Sequence, residues 1–266
     1  MSQSDIPVVM TFAGNDPTGG AGIQADIEAI ASMGCQAAPI VTAITVQDTH
    51  NISHFESVSP RLVIEQARAV LADMPVACFK LGMLGSVENI NAIHQILLEH
   101  PAIPVVTDTV LRAGGGHQLA TDELIDALIK LLLPQTTVLT PNSEEARRLV
   151  PEADSLDDCG RALLGLGCER VLITGTHEDT VMVDNILYGE NARLETFSWE
   201  RLPYSYHGSG CTLAASIAGL LAHGLDHFQV VLEAQEYTWE SLQNAYRIGS
   251  GQHLPNRLFW ARGEKD

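Results

Sequence analysis

Short apolar runs alternate with longer amphipathic stretches along most of the chain, and this alternation restricts the possible folds more than any other feature. Pro7–Ala13, Pro39–Val46 and Val76–Leu81 are short apolar runs of the kind that form buried strands. Gly20–Met33 and Val87–Glu99 keep apolar residues at helical spacing. Strands that alternate with helices predict an α/β fold, in which helices cover both faces of a mostly parallel sheet.

The same patterns predict the remaining elements. Further strands are expected at Ile52–Val58 (an edge strand or hairpin arm), Pro104–Thr107, Thr137–Thr140 and Arg170–Thr174, with an antiparallel pair at Val181–Tyr188 and Arg193–Ser198. Further helices are expected at Pro60–Asp73, Asp122–Leu133, Ser143–Leu149, Leu156–Leu166, Cys211–His223 and Phe228–Arg247. Because no Pro/Gly/Ser-rich linker divides the chain, we expect residues 1–266 to form a single domain.

The charge balance narrows the classes of partner. The chain has 33 acidic and 15 basic residues, which gives a formal net charge of −18. Without clusters of lysine and arginine, binding to nucleic acid or to an anionic membrane surface is disfavoured. Such acidity suits a high-salt cytoplasm, where screening weakens self-repulsion.

Cysteine spacing and the N-terminus favour a cytoplasmic location. The five cysteines are scattered without a C-x-x-C pair, so we expect neither a zinc site nor a disulfide framework. Met1–Pro7 does not resemble a signal peptide, and no apolar run approaches the ~20 residues of a membrane span.

Polar and glycine residues follow the predicted strands where a parallel sheet binds its ligands, beyond the carboxyl ends. They are Gly14–Gly22, Thr45–Gln47, Lys80–Met83, Asp108 and Val110, Thr140–Asn142, and Thr174–His177. The Gly14–Gly22 loop matches neither of the common glycine-rich nucleotide motifs, so a tight turn explains it equally well. On spacing alone, Asp26 is expected to be a solvated helix residue, and His177 and His207 are expected to be polar loop residues.

The segment Gly208-Ser209-Gly210-Cys211 stands directly before an apolar, alanine-rich run and carries the strongest chemical signal. Free N–H groups at a helix start attract phosphate, and a thiol there tends to have a lowered pKa. The segment therefore predicts an oxyanion cradle beside a candidate base, as phosphoryl transfer requires. The alternative is an ordinary loop followed by a small buried cysteine.

A second constellation joins Asn142 and Glu145, which share one face of a helical first turn, with Asp108. These groups are predicted to hold Mg²⁺, directly or through water, because magnesium takes few carboxylates and keeps several waters. An N-cap asparagine with an acidic first turn is the alternative explanation.

Taken in order, the motifs resemble a known family. The segments are Ala13–Asp26, Thr42–Thr49, Lys80–Leu84, Val105–Val110, Leu133–Pro134, Leu139–Ala146 and His207–Thr212. Together they resemble the ribokinase-like superfamily and, within it, the hydroxymethylpyrimidine/phosphomethylpyrimidine kinases of thiamine biosynthesis. The resemblance implies a ribokinase-like three-layer α/β/α fold with a mostly parallel central sheet. It also implies transfer of the γ-phosphoryl group of ATP to 4-amino-5-hydroxymethyl-2-methylpyrimidine, to its monophosphate, or to both.

The resemblance also implies a role for each site residue. Gly14, Asp26, Gln47, Met83 and Val110 would bind the pyrimidine; Gly208, Ser209, Gly210 and Cys211 would carry catalysis; Asn142, Glu145, Thr174, Gly175 and His177 would lie at the nucleotide; and Asp108 and Glu145 would hold Mg²⁺. Cys211 stands where many sugar kinases of the superfamily have an aspartate base, which favours the pyrimidine branch over a ribokinase.

The chain departs from the family at two lysines that would meet ATP phosphates. Thr174 stands in place of one, and Gly114, in the run Gly114–His117, in place of the other. Arg112 is a candidate substitute. Asn15 also replaces the more usual threonine or serine.

Two alternatives to the pyrimidine kinase follow. One is a pyridoxal-type vitamin kinase, and the other is a catalytically weak relative that binds an aminopyrimidine as a sensor or carrier. The family resemblance implies a homodimer. The C-terminal segment Gly249–Asp266, with its apolar Leu258–Trp260, is expected to dock on the body or on a partner subunit.

Overall fold

The computed structural model describes residues 6–112, 115–116 and 118–261. Within these residues the strands are β1 (Val8–Asn15), β2 (Gln36–Gln47), β3 (Ile52–Ser57), β4 (Val76–Leu81), β5 (Val105–Thr107), β6 (Val138–Leu139), β7 (Arg170–Ile173), β8 (Met182–Gly189) and β9 (Ala192–Glu200). They form one sheet in the order β3-β2-β1-β4-β5-β6-β7-β8-β9. Gly114 and His117 of the predicted loop lie outside the described residues.

The sheet is mostly parallel, as predicted. Six strands run parallel to one another, in the order β2, β1, β4, β5, β6 and β7. At one edge β3 pairs antiparallel with β2, which confirms the predicted edge strand. At the other edge β8 and β9 form the predicted antiparallel pair, and β8 runs antiparallel to β7.

The α-helices are α1 (Gly22–Ser32), α2 (Pro60–Asp73), α3 (Val87–Glu99), α4 (Asp122–Ala127), α5 (Ser143–Leu149), α6 (Leu156–Gly165), α7 (Ser209–Ala222) and α8 (His227–Gln243). Side-chain caps explain several starts, among them Ser86 before α3, Ser155 before α6 and Asp226 before α8. Helices α1, α7 and α8 pack together on one face of the sheet, and helices α2 to α6 cover the other face. The three-layer α/β/α prediction is therefore confirmed.

Two predicted helices end differently in the structure. The helix expected at Asp122–Leu133 is α-helical only to Ala127, continues as the π-helical segment Leu128–Leu132, and closes in a short 3₁₀ turn containing Pro134. The helix expected to reach Arg247 ends at Gln243, because Tyr246 instead pairs with Leu254 of the returning chain.

The sheet order fixes the place where a ligand can bind. The chain leaves β1 toward β2 on one side and returns to place β4 on the other side, so the connections diverge between β1 and β4. In open α/β sheets a crevice forms at such a switch point, beyond the carboxyl ends of the strands.

Candidate active site

A cavity of about 740 Å³ opens at this switch point. It is lined by most of the predicted site residues, namely Gly14, Gln47, Met83, Asp108, Val110, Asn142, Glu145, Thr174, His177, Gly208, Ser209, Gly210 and Cys211. Of the predicted set, Asp26 and Gly175 are not among the lining residues. Segments that are far apart in sequence therefore meet around one space, as the strand-end argument predicted.

The start of α7 forms one wall of the cavity. Gly208 precedes the helix with a φ of +82°, a left-handed conformation that glycine adopts without strain. The Thr212 N–H donates to the Gly208 carbonyl at 3.0 Å and begins the intrahelical series. The N–H groups of Ser209, Gly210 and Cys211 precede that series, at the positive end of the helix dipole. The predicted anion cradle therefore has the required backbone geometry.

The expectation that Cys211 has a lowered pKa is wrong. Burial, together with the negative charge of Asp108, raises the pKa of the Cys211 thiol to about 12, although Lys80 acts in the opposite direction. The thiol in turn lowers the pKa of Asp108, so the two side chains act on each other. A neighbouring carboxylate and desolvation outweigh the field of the helix N-terminus here.

Behind the cradle lies a buried charge cluster that the sequence interpretation missed. The Lys80 ammonium is fully buried, 3.0 Å from Asp26 Oδ1 and 3.8 Å from Asp108 Oδ2. Burial alone would lower the pKa of Lys80, but nearby acidic groups, led by Asp26, raise it above its usual range, so the lysine stays charged. Burial raises the pKa of Asp108, and Lys80 only partly offsets this.

Asp26 is the clearest correction among the predicted site residues. The solvated helix residue expected from spacing is fully buried, and Thr11 donates a hydrogen bond to its carboxylate. Its place is behind the cavity wall, where it balances Lys80. An isolated carboxylate would be costly at this depth, so the ion pair explains why an aspartate is tolerated inside the molecule.

Gln47 reaches the cavity at the end of β2 and is held by a second polar group. Gln47 Nε2 lies 2.8 Å from His207 Nε2, which in turn lies 2.9 Å from Asp16 Oδ2. Burial opposes ionisation of Asp16, but hydrogen bonds from His207 and Thr18 outweigh it and lower the pKa of Asp16. His207 is therefore a polar loop residue, as expected from the sequence, but it is buried and links two loops.

An apolar wall faces Gln47. Met83 and Val110 pack with Ile52 and Leu119 in a small cluster of their own. A side chain at Gly14 would stand 3.2 Å from the Met83 sulfur, so glycine keeps this corner open. One side of the cavity thus combines an amide with a flat apolar surface, which suits a small heteroaromatic ring.

Asn142 and Glu145 form the reciprocal capping box of α5, so the N-cap explanation of this motif is confirmed. The Glu145 carboxylate accepts from Asn142 N–H at 3.1 Å, from Thr109 Oγ1 at 3.0 Å and from Leu111 N–H at 3.2 Å. Burial and the nearby Asp108 raise the pKa of Glu145 to about 7. Both residues nevertheless line the cavity, so capping does not exclude contact with a ligand.

None of the residues predicted to lie at the nucleotide is a lysine or an arginine. Thr174 bridges to Asn142 in the backbone and His177 is exposed. The Gly175 N–H donates at 3.1 Å to Oδ1 of Asn185, which lines the cavity although Gly175 does not. Arg112 lines the cavity and contacts Glu144 at 3.4 Å, with 60% of its side chain exposed. Its role as a substitute for the missing lysines stays a prediction.

Arg257 is a further residue that sequence reasoning missed. The predicted docking of the C-terminal segment on the body is confirmed for the described part. Phe259 of the apolar patch packs on the core beside Tyr237, while Leu258 and Trp260 remain 43% and 60% exposed. The most deeply buried of these neighbouring side chains is Arg257, which is 2% exposed. Its only sequence signal is its position between two apolar stretches, which does not distinguish a buried arginine from a surface one.

Comparison with known proteins decides the family. The family model described as Phosphomethylpyrimidine kinase matches residues 16–256. The chain belongs to this family. The hydroxymethylpyrimidine/phosphomethylpyrimidine kinase of Salmonella typhimurium is 33% identical over 251 residues, which cover 92% of this chain and 94% of that protein. The thiamine biosynthesis bifunctional protein of Geobacter sulfurreducens is 35% identical over 97% of this chain, which spans only 54% of its length.

Solved structures of family members and of vitamin kinases share the fold. Phosphomethylpyrimidine kinase from Clostridium difficile superposes with a TM-score of 0.77 at 31% identity, covering 90% of this chain and all of that one. Pyridoxal kinase from Staphylococcus aureus, solved in complex with ADP, gives 0.88 at 26% identity and covers 98% of this chain and 97% of its own. The ribokinase-like prediction is thereby confirmed.

Proposed function

We propose that this chain transfers the γ-phosphoryl group of ATP to the hydroxymethyl group of an aminopyrimidine, to its monophosphate, or to both, in thiamine biosynthesis. The observation that carries the proposal is the start of α7, where Gly208–Cys211 presents N–H groups to a cavity that has a ring-sized wall nearby. Family membership supports the same reaction. A small-molecule substrate fits a concave cavity of this volume better than a macromolecular partner does.

The residues proposed to bind the substrate ring belong to the side of the cavity that combines an amide with an apolar surface. Gln47 offers both a donor and an acceptor to the edge of a pyrimidine, and Met83 and Val110 contact its face. Gly14 leaves room for the ring. Asp26 has no exposed atom, so its contribution acts through Lys80 and not by direct contact.

The chemistry requires that the substrate oxygen form a bond to Pγ while the bond from Pγ to the bridging oxygen of ADP breaks. In our proposal the N–H groups of Ser209 and Gly210 bind the oxygens of the transferring group and stabilise its charge. The Cys211 sulfur takes the hydroxyl proton and passes its own thiol proton to the carboxylate of Asp108, whose charge acts on the thiol. This order avoids a free thiolate, which the raised pKa of Cys211 disfavours.

Mg²⁺ fits the acidic end of the site with few protein ligands. Asp108 Oδ2 is buried without a hydrogen-bond partner, and Asp108 and Glu145 are close enough for one charge to raise the pKa of the other. In the described part of the chain no three His, Cys, Asp or Glu side chains are grouped to hold a metal. We propose that Asp108 and Glu145 hold Mg²⁺ through water, as this ion commonly binds beside phosphates. When bound, it would neutralise phosphate charge during transfer.

A pyridoxal kinase is the second candidate, because the Staphylococcus aureus pyridoxal kinase shares the fold over nearly the whole chain. An aminopyrimidine carries a ring-nitrogen acceptor next to an amino donor, which match the donor and acceptor of the Gln47 amide, whereas pyridoxal has no amino group beside its ring nitrogen, so the amide favours the pyrimidine. A sensor or carrier without turnover is the third candidate, motivated by Thr174. The cavity keeps a thiol and a carboxylate at the cradle, which a pure binder does not need.

The deciding experiment measures ADP release from Mg-ATP with hydroxymethylpyrimidine, its monophosphate and pyridoxal in separate reactions, at low and high salt. Turnover with either pyrimidine supports the proposal and identifies the step. Turnover with pyridoxal alone selects the second candidate. Pyrimidine binding without ADP release at any salt concentration selects the third.

The remaining expectations stay proposals. We propose a cytoplasmic location, a single domain over residues 1–266 and a homodimer. No helix in the described ranges has both the length and the apolar character needed to cross a bilayer. Size-exclusion chromatography with light scattering would distinguish a dimer from a monomer.

A further inference from the structure

Arg257 is buried beneath the candidate anion cradle and connects two loops of the site. Its Nε donates to Thr212 Oγ1 at 2.8 Å. Its Nη1 donates to the Gly19 carbonyl at 3.2 Å, and its Nη2 donates to the Gly20 carbonyl. The three donors of one planar fork thus hold the turn that follows β1 and the first turn of α7 at the same time.

The contacts of Arg257 continue directly into the cradle. Thr212 Oγ1, which accepts from Arg257, donates to the Gly208 carbonyl at 2.8 Å. Gly208 lies so close to the Gly20 carbonyl that a side chain at position 208 would collide with it. The guanidinium therefore reaches both sides of the contact between Gly20 and Gly208, and its loss would free the two backbones from each other.

The backbone of Arg257 is itself fixed, so the fork is held in place from the other end. The Arg257 carbonyl accepts from Ser32 Oγ at 2.9 Å and from Tyr237 Oη at 2.7 Å. The preceding residue, Asn256, donates its N–H to the Ser241 carbonyl at 2.9 Å. Helices α1 and α8 thereby place the arginine under the cradle.

Arg257 also places positive charge directly behind the cradle. Among the described lining residues the cations other than histidine are Lys80, Arg112 and Arg201. Lys80 lies beside two carboxylates, and Arg201 donates to three backbone carbonyls, which do not neutralise it. Arg257 has one acidic partner, Glu28 at 3.2 Å, and the Glu28 side chain is 40% exposed, so water weakens its compensation. The charge of Arg257 therefore adds to that of the lining cations at the one place where its side chain contacts the first turn of α7.

We propose that Arg257 is a positioning residue for phosphate: it fixes the Gly208–Cys211 cradle against the Gly19–Gly20 turn and adds positive potential from behind. The inference rests on the proposed function for its turnover measurement, but not for its binding measurement. Because the cradle acts on the transferring group, loss of Arg257 is expected to lower kcat more than it raises KM for the pyrimidine.

The test compares Arg257→Gln, which removes the charge, with Arg257→Lys, which keeps the charge and loses the fork. Arg170→Gln is the matched control, since Arg170 lies at the opposite end of β7 from the cavity and pairs with Glu190. Assays are run well below each Tm. We expect kcat of Arg257→Gln to fall by about ten-fold or more, with KM for the pyrimidine within about two-fold. Arg257→Lys should recover part of kcat, and the control should match the parent.

A purely structural role gives a different result. If Arg257→Gln lowers Tm but keeps the parental kcat at the lower temperature, the proposal is overturned. Equal kcat values for the lysine and glutamine variants would overturn the part of the proposal in which the charge of Arg257 adds positive potential at the cradle.

A Glu28→Gln variant keeps the proposal testable even if Arg257→Gln does not fold. It leaves every other contact of Arg257 in place and removes the opposing charge. Calorimetric titration with a non-hydrolysable ATP analogue, which keeps the γ-phosphate, should then give a Kd lower than the parental value, by about two-fold or more if the charge acts on the cradle. An unchanged Kd for the analogue overturns the proposal. Absence of turnover in the parent would contradict the proposed function alone, because the titration with the analogue is independent of turnover.

Discussion

At the scale of single residues, Cys211 shows how a local motif and its surroundings can conflict. A cysteine at a helix start predicts an acidic thiol, but the fold places the buried Asp108 against it and leaves Cys211 itself half-buried. We predict that Cys211→Ala lowers kcat by about 10²-fold or more, the range that positioned proton transfer supplies. Cys211→Ser, which keeps a group able to exchange protons with Asp108, should retain more activity than alanine does.

The measurement for Cys211 is ADP release, together with calorimetric binding of hydroxymethylpyrimidine. Binding should survive in both variants, because Gln47, Met83 and Val110 hold the ring. A Cys211→Ala variant with parental kcat would remove Cys211 from the mechanism. A variant that binds no pyrimidine would instead make the thiol part of the ring site.

Thr174 tests whether the cavity lacks a cation for ATP. Thr174→Lys should lower KM for ATP by several-fold, roughly the effect of 1 kcal/mol of added charge attraction at a partly exposed site. Ala69→Lys, on the exposed side of α2, adds the same charge far from the cavity and should leave KM for ATP unchanged. Equal shifts in the two variants would mean that only the net charge of −18 matters.

At the scale of elements, the start of α7 depends on one backbone conformation. Gly208 and Gly224 flank this helix, and both have a φ in the left-handed region, at +82° and +75°. A side chain at Gly224 meets nothing within 4 Å, whereas one at Gly208 collides with the Gly20 carbonyl. Alanine at Gly224 therefore causes only backbone strain, which costs roughly 1–2 kcal/mol, whereas alanine at Gly208 causes the same strain and a collision as well.

We predict that Gly224→Ala lowers Tm modestly and keeps kcat. Gly208→Ala should lower Tm further and lose most of its turnover, since the cradle must move away from the Gly19–Gly20 turn. Thermal unfolding and ADP release measure the two effects. If both variants behave alike, the close approach of Gly20 to Gly208 does not matter for the site.

Elements with strong local signals were predictable, and those shaped by distant contacts were not. Strand β4 and helices α2, α3 and α5 have the predicted bounds, because Pro60, the serine and asparagine caps and the apolar periodicity act locally. The π-helical continuation of α4 has no signal in the sequence. The early end of α8 depends on pairing between Tyr246 and Leu254, which no window of sequence reveals.

At the scale of the whole molecule, the location of the site could be predicted from the sequence, but the contacts among its buried side chains could not. Parallel-sheet topology brings the residues at the strand ends together, so the cavity-lining residues could be anticipated. The Asp26–Lys80–Asp108 cluster and the Arg257 contacts join residues that are from 28 to more than 200 positions apart. Such pairings depend on how helices α1, α7 and α8 stack, which hydrophobic periodicity does not specify.

The net charge of −18 leads to a prediction for the whole molecule. Repulsion among carboxylates destabilises the compact state, and salt screens it over about 8–10 Å near physiological ionic strength. We therefore expect Tm at pH 7.5 to rise as KCl increases from 0.05 to about 1 M, the range over which the screening length falls to ~3 Å. The same titration near pH 5 should give a smaller slope, because carboxylates there begin to take up protons and the repulsion weakens.

Sucrose provides the control that separates screening from a general solute effect. It stabilises proteins by exclusion from their surface, which does not require charge, so its effect on Tm should be similar at the two pH values. KCl should lose much of its effect at the lower pH. A KCl slope that is equal at pH 7.5 and pH 5 would show that charge repulsion is not what salt relieves. A steeper slope at pH 7.5 than at pH 5 would make the acidic surface a determinant of stability and support the predicted high-salt habitat, independently of whether the site turns over a pyrimidine.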